Sequence, residues 1–172
     1  MSLAKLRAGF EWLLEVVTML LVVALTVIVL LGVSFRYTGN SLSWYDEVAA
    51  VMLAWVTYYG AALASLKRAH ISVPGFVYSR PRAVRVTLVA IGETIIIAFF
   101  VLLAYYGVYV IQVLGGSTLV SVPIPTAVTQ STIPIGAGLY VVAELLNLPA
   151  ILREAWDGKR PPSEQDIVEE LQ

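Results

Sequence analysis

The stretch "SLSWYDEVAAVMLAWVTYYGAALASLKR", residues 41–68, decides the fold class. Two adjacent carboxylates, Asp46 and Glu47, are followed by a run from Val48 to Leu66 with no charged side chain, and then by Lys67 and Arg68. A helix that crosses lipid needs about 20 apolar residues, because each adds 1.5 Å toward a hydrocarbon layer of about 30 Å. The run has that length. Acids in its first turn and bases just past its last complement the two ends of the helix dipole. Ser43 to Asp46 also forms an S-x-x-D capping pattern, with Asp46 at the helix start and on its packing face. Arg36 lies close enough along the chain to pair with Asp46 or Glu47 across the intervening loop.

Working outward, the 172 residues are 59% hydrophobic and 13% charged, against roughly 25% charged in soluble domains. Three further apolar runs qualify as spans. Residues 16–35 carry no charge, residues 86–110 carry Glu93 in a run that continues to Leu114, and residues 133–152 carry Glu144, Asn147, Pro134 and Pro149. A single mid-membrane carboxylate costs about 2.5–3.5 kcal/mol, which a run of Leu, Ile, Val and Phe offsets. The expectation is an all-α integral membrane protein with four transmembrane helices, at about 16–35, 48–66, 86–110 and 133–152. These form one membrane domain over 1–156, followed by a mobile, Pro-containing acidic tail over 157–172.

Ahead of the first span, Leu3, Leu6, Phe10, Leu13 and Leu14 recur at helical spacing, with Arg7, Glu11 and Glu15 as a polar stripe. This amphipathic start is expected to lie along the membrane surface before turning into the span. No small-x-small site suggests a cleaved signal.

Of the 11 Lys and Arg residues, all but Arg36 fall before span one, between spans two and three, or after span four. The positive-inside rule then places both termini in the cytoplasm. Trp12 and Trp156 belong to the aromatic belt of that side, and Tyr37, Trp44, Tyr45, Tyr105, Tyr106 and Tyr109 to the other. Lys67, Arg68 and Arg85 are read as cytoplasmic anchors, and His70 as a polar contact in the loop beside them.

The chain has no cysteine and one histidine, His70. That excludes thiolate chemistry and cysteine-held clusters, and leaves no basis for a bis-histidine haem or a metal centre. No GxxxxGK[ST] loop and no basic-aromatic cluster suggest nucleotide or nucleic acid. The chain is expected to need no cofactor and to be no enzyme.

Two features of the spans point to partners. On span two, Asp46, Ala50, Ala54, Ala61 and Ser65 share a face, with Gly60 and Ala64 as a second small pair. Such faces allow close helix approach, toward this chain or another. Glu93, eight residues past Arg85, and Glu144, nine before Arg153, both fall about 12–14 Å inside the boundary at 1.5 Å per residue. Two carboxylates at one depth fit either structural pairing or a proton-coupling role.

The segment "FRYTGNSLSWYDEVAAVMLAWVTYYGAALASLKRAHISV", residues 35–73, resembles the small membrane subunit, Q-type, of tripartite ATP-independent periplasmic (TRAP) transporters. The resemblance rests on Arg36 and Tyr37, Asn40, Leu42 and Trp44, the paired acids Asp46 and Glu47, Trp55, Gly60 to Ala62, Arg68, and His70, Ile71 and Val73. The "PIG" of Pro134 to Gly136 looks like the opening of that family's fourth span. The resemblance implies a scaffold in a bacterial or archaeal cytoplasmic (inner) membrane. It would support a large M-type membrane subunit that performs sodium-coupled uptake of a carboxylate-type solute delivered by a periplasmic binding protein. Candidate interface residues are then Arg36, Trp44, Asp46, Glu47, Ala50, Ala54, Trp55, Gly60 and Ala61, with Glu47, Arg36 and Trp44 shaping the outer contact. The alternative is a self-sufficient, proton-coupled homodimeric transporter working through Glu93 and Glu144.

Overall fold

The computed structural model describes residues 3–70 and 74–158. Among these residues six helices follow in order: α1 Leu3–Tyr37, α2 Tyr45–Leu66, α3 Pro74–Tyr78, α4 Arg82–Leu114, α5 Thr126–Gln130 and α6 Thr132–Asp157. Among the described residues the only extended pairing is an isolated bridge between Thr118 and Pro125. Four helical stretches are long and apolar enough to cross a membrane: α1, α2, α4, and α5 with α6 taken together. The apolar runs 16–35, 48–66, 86–110 and 133–152 fall inside α1, α2, α4 and α6. Past Gly158, the expected tail lies outside the described residues.

The amphipathic start does not turn aside from span one, because α1 is a single helix of 35 residues, about 52 Å long at 1.5 Å per residue. Its polar stripe is used against the end of α2 instead. Arg7 donates to the Leu66 carbonyl at 3.1 Å, and Lys67 pairs with Glu15 and, at 3.8 Å, with Glu11. Those contacts hold the first turns upright.

The long helices stand in a row, α1–α2–α6–α4, each packing mainly on its neighbours in that order. Helices α2 and α6 run in the same direction, with α1 and α4 antiparallel on the flanks. Lipid provides no hydrophobic drive for helices to associate, so close approach through small residues carries much of the packing. Each contact in the row includes a glycine with no room for a side chain. A Cβ at Gly32 would collide with the Tyr45 ring, one at Gly136 with Tyr58, and one at Gly107 would lie 2.9 Å from Pro134 Cδ. A third of the α6 apolar window is buried (33%) but none of the α4 window (0%), so α6 is the centre of the row and α4 its open flank.

The buried core, Leu14, Ala62, Leu66, Tyr140 and Ala143, lies toward the end where α1 begins and α6 ends. Phe100 stacks on Tyr140 beside it, with ring centroids 3.8 Å apart and planes at 11°.

Candidate functional site

The side-chain chemistry concentrates where α2 stops. Helix α2 ends at Leu66 while α6 continues to Asp157, so the last carbonyls of α2 are surrounded by protein and must be satisfied there. A Schellman motif takes two of them: Arg68 N–H donates to Ser65 O at 2.9 Å and Ala69 N–H to Ala64 O at 2.8 Å. Asn147, 1% exposed, supplies Nδ2 to both Ser65 O (2.8 Å) and Leu66 O (3.2 Å).

One turn back on α6, Glu144 accepts from Ser65 Oγ at 3.0 Å. The Glu93 carboxyl group neighbours that of Glu144, and Glu93 Oε2 and Asn147 Oδ1 are buried without a hydrogen-bond partner among the described residues. The two glutamates anticipated at one depth therefore do meet. Glu144 is level with Ser65, next to the end of α2.

The expected cytoplasmic anchors are contact residues with defined partners. Arg68 adopts a left-handed backbone, φ 55°, which costs a non-glycine residue about 1–2 kcal/mol. Its Nη1 is held by both Glu154 oxygens at 2.7 and 2.8 Å, and that pairing raises its proton affinity further. Lys67 is likewise held protonated, chiefly by its hydrogen bond to Glu15. Arg85 donates from Nε to Ala155 O at 2.6 Å, capping the C-terminal end of α6 where the dipole favours a cation. His70 is exposed, its ring centroid 5.8 Å from that of Tyr140. Ile71 and Val73 lie outside the described residues.

At the opposite end, Glu47 accepts two backbone hydrogen bonds, from Val120 N–H (2.9 Å) and Ser121 N–H (2.7 Å). These residues sit at the tip of a tight loop closed by Leu119 N–H to Ile124 O (3.0 Å) and Thr126 N–H to Ser117 O (2.8 Å). No Arg36 pair with Asp46 or Glu47 forms among the described residues: the Arg36 side is exposed, and the backbone amides of the loop reach Glu47 instead. The Ser43 capping pattern does not form either. The N-cap of α2 is Trp44, with no side-chain cap, which shifts the helix start one residue past Ser43. Asp46, expected on a packing face, is exposed.

The remaining interface candidates divide along α2. Ala50 is exposed and Ala54 half-buried, Trp55 packs its ring 5.6 Å from that of Tyr59, and a Cβ at Gly60 would meet no atom within 4 Å. Ala61 packs against the core. The glycines that do bring helices together, Gly32, Gly107 and Gly136, were not singled out by spacing, since each faces a bulky residue of another helix. Gly136 belongs to the "PIG" segment, whose Pro134 meets Gly107, so that motif marks two crossings at once.

This arrangement defines an all-helical, multi-pass membrane protein of four long helices in a row. Residues 25–154 match the family described as tripartite ATP-independent periplasmic transporters, DctQ component, and the chain belongs to that family. No curated protein matches the chain.

Proposed function

We propose that the chain is the scaffold subunit of a TRAP transporter, fixed in a cytoplasmic membrane with both termini inside. It would support a large M-type membrane subunit that imports a solute, of carboxylate type by family resemblance, with sodium coupling and delivery by a periplasmic binding protein. The observation that carries the reading is the open row. A single layer of helices whose flank α4 has no buried residue in its apolar window presents two broad apolar faces to its surroundings, as a support for another membrane subunit needs.

The interface candidates sort accordingly. Arg36, Trp44, Asp46, Ala50 and Gly60 lie on surface that the chain itself leaves open, and are assigned to docking. Glu47 acts indirectly by fixing the loop beside them. Glu93 and Glu144 are assigned a structural role, because Ser65 and Asn147 tie α6 to the end of α2 around them.

Co-expression with the large membrane subunit, affinity purification of this chain and solute uptake in proteoliposomes test the proposal. The expected outcome is a stable complex, with uptake only when both membrane subunits and the binding protein are present. Uptake by this chain alone would replace the scaffold with the self-sufficient transporter. Substituting both Glu93 and Glu144 by Gln is expected to leave the proton dependence of uptake unchanged; a lost dependence in an intact complex would give the pair a coupling role.

A further inference from the structure

The start of α4 carries chemistry that the scaffold role does not use. From Ala69 to Gly92 the sequence has no acidic residue and three arginines, Arg80, Arg82 and Arg85. Arg85 is committed to Ala155 O. Arg85 also lies 5.6 Å over the Tyr78 ring, whereas the other two are held by the face of an aromatic ring alone. The Arg82 guanidinium lies 3.3 Å from the Trp156 ring centroid and that of Arg80 lies 4.7 Å from the Phe76 centroid. Stacking uses the face of a guanidinium and leaves its in-plane N–H donors available. Among the described residues neither arginine makes a side-chain hydrogen bond or ion pair. Two pre-positioned cations, two residues apart across Pro81, thus present unused donors beside exposed apolar surface, with Phe76 59% and Trp156 54% exposed.

Directly along α4 from these arginines runs a groove of about 390 Å³ lined by Val86, Thr87, Ala90, Ile91, Thr94 and Ile95. Thr94 turns its hydroxyl back to Ala90 O at 2.7 Å, leaving mainly apolar surface toward the groove. From Val86 to Ile95 the groove extends about 13 Å, close to the roughly 15 Å of hydrocarbon in one leaflet. Arg82 sits one turn before Val86. Helical side chains lean toward the N-terminus, which carries its guanidinium away from the apolar groove toward the headgroup layer.

We propose that this elbow binds an anionic glycerophospholipid, its phosphate between Arg80 and Arg82 and one acyl chain along the α4 groove. The charge argues for an anionic headgroup and the adjoining apolar channel for a lipid over a soluble phosphate. A surface arginine near an anionic headgroup contributes about a fivefold preference, so two give about 30-fold for phosphatidylglycerol over phosphatidylcholine with identical chains.

The test is lipid titration of the full chain in detergent, with binding followed by native mass spectrometry and by the thermal unfolding midpoint. The native chain should prefer phosphatidylglycerol by about 30-fold. The double variant R80Q/R82Q should bind both lipids alike, a comparison made within one variant and so insensitive to loss of the Trp156 contact. Ala90→Phe, which fills the groove, should weaken both lipids while keeping the headgroup preference. Glycerol 3-phosphate alone should give no shift. Equal binding of the two lipids by the native chain, a preference that survives R80Q/R82Q, unchanged affinity in Ala90→Phe, or a full shift with glycerol 3-phosphate would each overturn the proposal.

Discussion

Where α1 begins and α6 ends, side chains from all four long helices interlock: Arg7 and Glu15 of α1 on the end of α2, Ser65 on Glu144, Asn147 on two α2 carbonyls, and Arg68 and Arg85 on the last turn of α6. At the loop end, contact rests on close glycine packing at Gly32 and Gly107 and on one carboxylate, Glu47, holding a loop. The difference follows from where helices stop. Helix α2 ends against a continuing α6, so its carbonyls need partners inside the protein, whereas the turns at the other end run into a loop that closes largely on itself. The chain is thus pinned by polar contacts at one end and by shape at the other.

The sharpest way to break the pinned end is Asn147→Leu. It removes the Nδ2 donor from Ser65 O and Leu66 O, which keep Arg68 N–H and Arg7 respectively, so two hydrogen bonds of about 0.5–1.5 kcal/mol each are lost. The unfolding free energy in detergent should fall by about 2 kcal/mol. Unchanged stability would mean that the α2 terminus is not held as the geometry indicates.

The shape-held contacts are tested by Gly136→Val against Gly60→Val. At Gly136 even a Cβ collides with Tyr58, so overpacking should cost about 1–3 kcal/mol. At Gly60 the space is open, and stability of the isolated chain should change by less than about 0.5 kcal/mol. If Gly60 faces another subunit, Gly60→Val will instead reduce co-purification of that subunit. Equal stability losses at the two positions would erase the distinction between internal and open small residues.

Arg68 combines both kinds of constraint, a left-handed backbone and a doubly held guanidinium. Arg68→Ala loses the pair and keeps the strain, while Arg68→Gly loses the pair and relieves the strain. Gly should therefore be the milder substitution by about 1 kcal/mol in thermal unfolding. If Ala is the milder one, the φ of 55° is not a source of strain.

Sequence patterns showed the fold class through uniform physics: apolar runs of bilayer length. The neighbouring of Glu93 and Glu144 was also legible, because each lies a similar number of residues from a basic residue near the same end of its helix. The row was not legible, since which flank of α6 meets α2 or α4 depends on rotations that residue spacing leaves free. The roles of Gly32, Gly107 and Gly136 were hidden for the same reason: a glycine matters only through the bulky residue opposite it. The loop contact of Glu47 was not legible because its partners are backbone amides, and an N–H leaves no mark in a sequence. Arg36, a visible cation nearby, offered a more obvious but incorrect partner.

That pair of neighbouring acids gives the smallest effect and the finest test of the comparison. Glu47 binds the amides of Val120 and Ser121 through both oxygens, while Asp46, one residue earlier, is exposed. The two positions share charge and helix turn but differ in loop contact, so Asp46→Asn controls for charge alone. Glu47→Gln replaces a carboxylate that accepts at both oxygens with an amide that accepts at one. One of the two loop amides must then open to solvent, where exchange follows local opening more than global unfolding. Hydrogen exchange at Val120 or Ser121 should accelerate by about tenfold in Glu47→Gln, with the same thermal midpoint and no change in Asp46→Asn. If both substitutions speed exchange equally, the loop responds to charge near the helix start rather than to a specific hold. If neither does, the Ser117–Thr126 closure alone fixes the loop, and the loop end contains no polar pin.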